Sequence, residues 1–403
     1  MDGLPVVVIG AGPQGLAAAA HLLEQGESPV VVESGAGPAA AVSEWGHVRL
    51  FSDWSELVDS SAARLLASRG WIRPRDGFPT GSEWVSRYLA PLALALGERV
   101  TYDTRVTGVS RDRSVDRGLV GQPFTVQLSD TDGNETTLRA RAVLDASGTW
   151  SLPNPAGADG LLAHGESEAS DRIRYRIPDF AEPSSYIGKH TVVVGSGHSA
   201  TTAVIQLARL ARTHPRTRVT WVLRKSAIGT TFGSGDADTF PARAALGVRA
   251  RAAVDSGLVE LVTGFRVASF TRTGHGTVIS AEDGRELPAA DSVVVLTGFQ
   301  PDLSFLTGIR LELDPGLLAP VRVAPHIDPT IHTCGSVQAT GAPELSHPEP
   351  DFYILGAKSY GRAPTFLAST GYEQVRSVVA ALGSDVATAA PAELAGAPMP
   401  SGE

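Results

Sequence analysis

Cysteine is almost missing from these 403 residues: Cys334 stands alone. A disulfide framework within one chain is therefore excluded, and so is a redox Cys-x-x-Cys pair. Dense basic blocks are missing as well. With a formal net charge of −9, the chain carries no nucleic-acid footprint. No run of about 18 uninterrupted apolar residues occurs, so no membrane-spanning helix is expected. No basic region precedes the first apolar run, so the N-terminus does not read as a secretory signal and a cytoplasmic location is expected. A Ser-His-Asp arrangement and a Cys/His cluster spaced for metal are also absent, and no metal site is expected.

What is present is a packed globular composition, 42% hydrophobic and 19% charged. The length exceeds one ordinary core and fits two domains, or one domain with a large insertion. Residues 383–403 are rich in Ala, Pro and Gly without periodicity, and are expected to form a flexible tail.

Residues 5–33 read PVVVIGAGPQGLAAAAHLLEQGESPVVVE. A short apolar run meets Gly10-Ala11-Gly12-Pro13-Gln14-Gly15, followed by a helix patterned on Leu16, Ala19, Ala20, Leu22 and Leu23. Gly26 ends that helix, and a second apolar run ends at Glu33-Ser34. Gly10 permits a tight turn off the strand. Gly12 lets backbone approach a pyrophosphate, and Gly15 lets the helix pack close to the strands. The helix N-terminus offers free N–H groups and a positive dipole end. Glu33 stands where a carboxylate accepts hydrogen bonds from ribose hydroxyls. A lone Gly-x-Gly-x-x-Gly is weak, but strand, helix, second strand and terminal acid in register make a strong dinucleotide signal.

Residues 191–225 repeat the design. The strand Thr191–Val194 leads into Gly195-Ser196-Gly197-His198-Ser199-Ala200, then a helix, then the strand Arg218–Leu223 ending in Arg224-Lys225. Two cations stand where the first unit has an acid. A guanidinium binds a ribose 2′-phosphate with paired hydrogen bonds, whereas a carboxylate repels it. The second site is therefore expected to prefer NADPH. Solvated strand-end charge is the plainer alternative for both residues.

The halves echo each other further. RVTGVSRD (105–112), PFTVQLSD (123–130) and TTLRARAVLDASG (136–148) follow the first unit. FRVASFTRT (265–273), TVISAED (277–283) and RELPAADSVVVLTGF (285–299) follow the second. Each set reads as three strands. The expected fold is α/β, with two Rossmann-like dinucleotide-binding domains, each carrying a β-meander. The NAD(P)H-binding domain (156–305) is inserted into the FAD-binding domain (1–155 and 306–382). Residues 38–95 are expected to be helical segments over the flavin.

With these motifs in place, the chain resembles the two-dinucleotide-binding-domain flavoproteins. Ala146-Ser147-Gly148 and Leu296-Thr297-Gly298 resemble the paired Ala-Thr-Gly-type links between FAD and NADPH domains. Ser199-Ala200 matches the second fingerprint of flavin-containing monooxygenases. Glu44-Trp45-Gly46 resembles an FAD-side Gly-Gly-x-Trp motif, with Glu in place of the second Gly. SEWGHVRLFSDW (43–54) and KSYGRAPTFLASTGYEQV (358–375) are similar to a bacterial group of FAD-dependent oxidoreductases related to those monooxygenases. The Cys pair and the late Gly-Asp of the disulfide reductases have no counterpart: the matching segment here runs Leu355-Gly356-Ala357-Lys358. The FxGxxxH segment of flavin-containing and Baeyer-Villiger monooxygenases is not recognisable either.

The resemblance implies FAD and NADPH as cofactors, with Trp45, Val106, Ala146–Gly148, Thr297, Gly298, Gly356 and Pro364 among the nucleotide contacts. Hydride then passes from nicotinamide to flavin. A dithiol acceptor is excluded by the cysteine count. The leading expectation is an NADPH-dependent single-component flavin monooxygenase using O₂ and a small-molecule substrate through a C4a-(hydro)peroxyflavin. The alternatives are an oxidoreductase serving a small non-disulfide acceptor or a partner protein, and a non-catalytic nucleotide-binding sensor or subunit. A homo-oligomer is compatible with all three. Candidate reaction-site residues are Arg49, Trp54, Lys358 and Arg362. Arg49 is read as a flavin or pyrophosphate contact, with a structural ion pair as the alternative. Trp54 is read as a pocket wall, with core packing as the alternative. Lys358, and the start of the last helix near Pro364, are read as favouring an anionic reduced flavin. The polar segment 233–241 (GSGDADTFP) is read as a lid, and Cys334 as a buried small residue.

Overall fold

The computed structural model describes residues 3–111, 122–227, 232, 241–329 and 340–383. Cys334, residues 233–240 of the expected lid, and the tail after residue 383 lie outside the described residues.

Short valine-rich runs form two parallel sheets. The first holds β1 (Val6–Ile9), β2 (Pro29–Val32), β3 (Val100–Thr101), β7 (Ala142–Asp145) and β15 (Phe352–Ile354), in the order β15-β7-β1-β2-β3. The second holds β8 (Ile173–Arg174), β9 (His190–Val194), β10 (Arg218–Val222), β11 (Glu260–Val262) and β14 (Ser292–Val295), in the order β11-β10-β9-β14-β8. Read from the opposite edge, the second order matches the first, with β1 and β9 central. Val6, Val7, Val8, Val192 and Val193 are fully buried. Unbroken apolar runs are what a sheet covered on both faces requires. All strands of the second sheet fall between β7 and β15 in chain order.

The antiparallel additions differ between the halves. The first is a three-stranded meander of β4 (Thr104–Arg111), β5 (Phe124–Asp130) and β6 (Glu135–Ala140). The second is a two-stranded pair, β12 (Val267–Thr273) and β13 (Gly276–Ala281). The start of the expected third segment, 285–299, makes only isolated bridges, Thr277 to Ala290 and Ser280 to Glu286, and its apolar part is β14 of the parallel sheet. Pro288 supplies no N–H to a ladder there, and the chain leaves at once to become β14.

The first helix, Pro13–Glu24, lies at the centre of the largest apolar cluster with the last helix, Ala368–Gly383. The stretch over that core is a chain of short helices, among them Ala40–Glu44, Trp54–Leu57, Ser60–Ala67 and Ala90–Leu96. Asp53 and Asp59 start two of them as N-caps, and Thr80 and Glu83 form a capping box at a third.

Candidate active site

At each central strand the chain turns through a glycine into a helix. Gly10 has φ 99°, and a Cβ there would sit 2.9 Å from the Ala146 carbonyl oxygen. A Cβ on Gly15 would lie 1.9 Å from the Gly10 carbonyl oxygen. Gly195 has φ 130°, and its Cβ would come within 2.3 Å of the Leu296 carbonyl oxygen. These glycines are demanded by the protein's own packing. Ala200, at the third position of the second fingerprint, is fully buried.

Gly12 and Gly197 are different. Nothing lies within 4 Å of a Cβ at either position. Both are extended N-cap residues, no side chain caps either helix, and neither first turn holds an acid. The N-termini of Pro13–Glu24 and His198–Thr213 thus present uncapped N–H groups and a positive dipole end without a side chain in the way. Such a terminus suits a pyrophosphate. Pro13 fits because the first-turn N–H has no helical partner to lose.

Glu33 is buried and held rigidly. Its two oxygens accept from the backbone N–H of Ala11 and of Gly35, each at 2.7 Å. Each oxygen keeps a further lone pair for a ribose hydroxyl. Ser34 beside it is exposed. Val106 faces the core between the first sheet and its meander. At the second site Arg224 and Lys225 are both exposed beyond β10, and an Arg224 guanidinium N–H donates to the Ala158 carbonyl at 2.9 Å. One fork of Arg224 is therefore anchored while the side chain stays accessible.

The two links cross beside each other. Asn154 N–H donates to Gly298 O at 2.9 Å, Thr297 Oγ1 donates to Asn154 O at 2.9 Å, and the Asn154 amide donates to Thr297 O at 3.2 Å. Trp150 and Phe299, each just past a link glycine, stack with centroids 4.6 Å apart. The Arg176 guanidinium lies over Trp150 at 4.9 Å and pairs with Glu44 at 2.7 Å. Glu44, beside Trp45, therefore makes an ion pair with the segment between the first link and β9. Arg362 donates to the Gln300 side chain at 2.9 Å, tying the C-terminal segment to the second link.

Three expected roles are corrected by burial and position. Trp54 is 1% exposed, packed in the core with the Arg87 guanidinium 5.1 Å over its ring, so it walls no open pocket. Lys358 is also 1% exposed. Its ammonium meets Asp145 at 2.6 Å and donates to Ser147 Oγ at 3.0 Å, with the Phe305 ring 4.4 Å away. A neutralised pair offers no net charge to a flavin. The last helix starts at Ala368, not near Pro364, because residues 361–367 run as turn and irregular chain. That helix and the segment after β15 are fitted to the first cradle by small residues: a Cβ on Gly371 would meet Gln14 at 2.7 Å, and one on Gly356 would meet it at 3.1 Å. Trp45 packs on Gly81, where a Cβ would come within 2.8 Å of the indole.

Asp145, Phe305 and the Trp150–Phe299 pair were not singled out from the sequence, and the Glu44 motif gave no sign of its Arg176 partner. For Asp145 a signal existed: an acid closing an otherwise apolar strand of a buried sheet needs a partner.

Residues 7–318 match the profile of the pyridine nucleotide-disulphide oxidoreductase family. The chain belongs to that family. Its known cofactor types, FAD and a nicotinamide dinucleotide, fit the two open cradles just described. The pyridine nucleotide-disulphide oxidoreductase fold recurs in solved structures. Bacillithiol disulfide reductase of Bacillus cereus is 21% identical with a TM-score of 0.72, covering 94% of this chain and 98% of that one. Ornithine hydroxylase of Pseudomonas aeruginosa is 16% identical with a TM-score of 0.65 over the same shares. A flavin-containing monooxygenase of Stenotrophomonas maltophilia is 23% identical with a TM-score of 0.55, again over 94% and 98%. Among curated proteins, thiamine thiazole synthase of Archaeoglobus fulgidus is 29% identical over 149 residues, 36% of this chain. The matched part spans 55% of that protein, about half its length. No helix among the described residues is long and apolar enough to cross a membrane.

Proposed function

We propose that the chain binds FAD at the Gly10–Gly15 cradle and NADPH at the Gly195–Ala200 cradle, and acts as a flavin monooxygenase on a small molecule. The observation that supports this reading is the pair of equivalent, side-chain-free helix starts in a chain with one cysteine. Electrons entering from NADPH have no dithiol to rest on, so the reduced flavin must meet its acceptor directly. When bound, FAD supplies two-electron chemistry between NADPH and O₂. The protein's own residues bind and orient. The two helix N-termini hold the pyrophosphates, Glu33 holds the FAD ribose, and Arg224 with Lys225 holds the 2′-phosphate of NADPH. The Trp150–Phe299 stack braces the crossing of the links.

A second reading keeps the cofactors and changes the acceptor to a small molecule or partner protein without oxygen insertion. The same lack of a thiol pair favours it equally, since direct transfer needs none. Stopped-flow absorbance with an oxygen electrode separates the two. The monooxygenase reading expects rapid flavin bleaching by NADPH, then a transient absorbing species in air and oxygen uptake matched to oxygenated product. Rapid bleaching with no transient and little oxygen uptake supports the second reading. No bleaching by NADPH or NADH rejects both.

A further inference from the structure

A cavity of about 490 Å³ lies between the segment His47–Arg49 and the helix His198–Thr213, and no residue of either glycine turn lines it. Thr202, Ile205 and Arg209 line it from that helix, spaced 4, 7 and 11 residues beyond His198. At 1.5 Å per residue they stand about 6 to 16 Å down the helix from the second cradle. His198 itself meets Phe51 edge-on, with centroids 5.4 Å apart. The first part of the chain thus runs along this helix face and closes the cavity from the other side.

The lining divides by chemistry. Ile205 and Leu246 are buried and form an apolar floor with half-buried Phe180. Arg49, Arg209 and Arg249 contribute three exposed guanidiniums. Arg49 is already engaged, donating to the Phe78 carbonyl and pairing with Glu83 at 3.7 Å, as its ion-pair alternative expects. Asp179 is the carboxylate of the lining. That carboxylate accepts from the Ala181 N–H at 2.9 Å within its own turn. Arg209 donates to the Gln206 side chain at 3.2 Å, and Arg249 Nε donates to the Ala245 carbonyl at 3.2 Å. Among the described residues, neither Arg209 nor Arg249 forms an ion pair with a carboxylate. Guanidinium pairs with carboxylate groups in a fixed, two-point geometry. A cavity of this size between two structural units, apolar below and cationic above, matches ligand sites of the small-molecule class.

We propose that this cavity is a binding site for a small amphipathic carboxylate, separate from both dinucleotide sites. The apolar body rests on Ile205, Leu246 and Phe180, and the carboxylate meets Arg209 and Arg249. Because its walls come from both halves of the chain, an occupant ties the two halves together.

The test uses the full-length, FAD-loaded protein and isothermal titration with octanoate, octylammonium and inorganic phosphate as probes. Octanoate is expected to bind, octylammonium not to bind, and phosphate to bind far more weakly than octanoate. The double variant Arg209→Ala/Arg249→Ala is expected to lose octanoate affinity by at least about tenfold. Its FAD content and NADPH affinity should stay at the parent values, which shows that the fold and cradles are intact. A second variant, Thr202→Trp, fills the cavity and should abolish octanoate binding without removing a charge. Saturating NADP⁺ should leave octanoate binding in place. Equal binding of octanoate and octylammonium, undiminished binding in the double variant, or displacement of octanoate by NADP⁺ would each overturn the proposal.

Discussion

Lys358 and Asp145 are far apart in the sequence, yet they meet at 2.6 Å with both side chains fully buried. Asp145 also accepts from Ser147, through its N–H at 3.1 Å and its hydroxyl at 2.6 Å. The ion pair thereby joins the segment after β15 to the end of β7, where the first link begins. Breaking a buried pair from one side strands a charge in a medium of low polarity, at a cost of roughly 3–5 kcal/mol. Asp145→Asn and Lys358→Met alone are each expected to lower the urea midpoint strongly. The double variant should recover much of the loss, because no unpaired charge remains. Equilibrium unfolding of the four proteins closes the cycle. Equal losses that simply add would show that the two groups are not coupled.

Gly12 and Gly10 separate ligand from fold. Gly12→Ala meets no protein atom, so apo-protein stability should change by less than about 0.5 kcal/mol. FAD affinity should nevertheless fall about tenfold or more, since the methyl group occupies the path of the pyrophosphate. Gly10→Ala faces a positive φ and the Ala146 oxygen, and should destabilise the apo-protein by about 2 kcal/mol or more. Thermal melts with and without FAD distinguish the two. Gly197→Ala should repeat the Gly12 pattern for NADPH while leaving FAD content unchanged.

Arg224→Glu replaces an accessible cation with an anion at the expected 2′-phosphate position. The kcat/KM for NADPH should fall by roughly 10- to 100-fold, with a much smaller change for NADH. Steady-state kinetics with both nucleotides give the ratio. A parallel loss for both would place Arg224 in the fold through its bond to Ala158 rather than in phosphate recognition.

His347 gives the protein an acid-side weakness. Burial lowers its pKa from 6.5 to about 4. The unfolded chain therefore binds a proton that the folded chain refuses, and unfolding is favoured as the pH falls from 6.5 towards 4. The contribution is fully present above 6.5 and is lost through that window, on the order of 3 kcal/mol. His347→Gln should flatten the stability profile there. Urea midpoints between pH 4 and 7 measure it; an unchanged slope would reject the assignment.

Both cradles were legible in the sequence because their requirements are local. A glycine off a strand, a small residue in the first turn and an acid or base at the next strand end are set by neighbours a few tens of residues away. The final meander strand was less legible. Its apolar pattern ran through Pro288 into β14, and periodicity alone does not mark where a ladder stops. The start of the last helix was misplaced for a similar reason: Pro364 is permitted at a helix start, but the seven residues 361–367 pass through turn and irregular chain first. Trp54 took the core-packing alternative and Lys358 turned inward because each residue type fits two environments, and only packing distinguishes them.

Sequence alone therefore determined the two glycine-turn units and the exclusion of an internal dithiol, since short-range backbone geometry and residue counts are written in the chain itself. Tertiary structure decided where the charges went. Lys358 turned inward to Asp145, Glu44 reached Arg176, and Arg209 and Arg249 came to face a cavity across from Arg49. Those outcomes rest on contacts between distant segments, and a charge's role is set by the partner and the solvent that the completed fold leaves beside it.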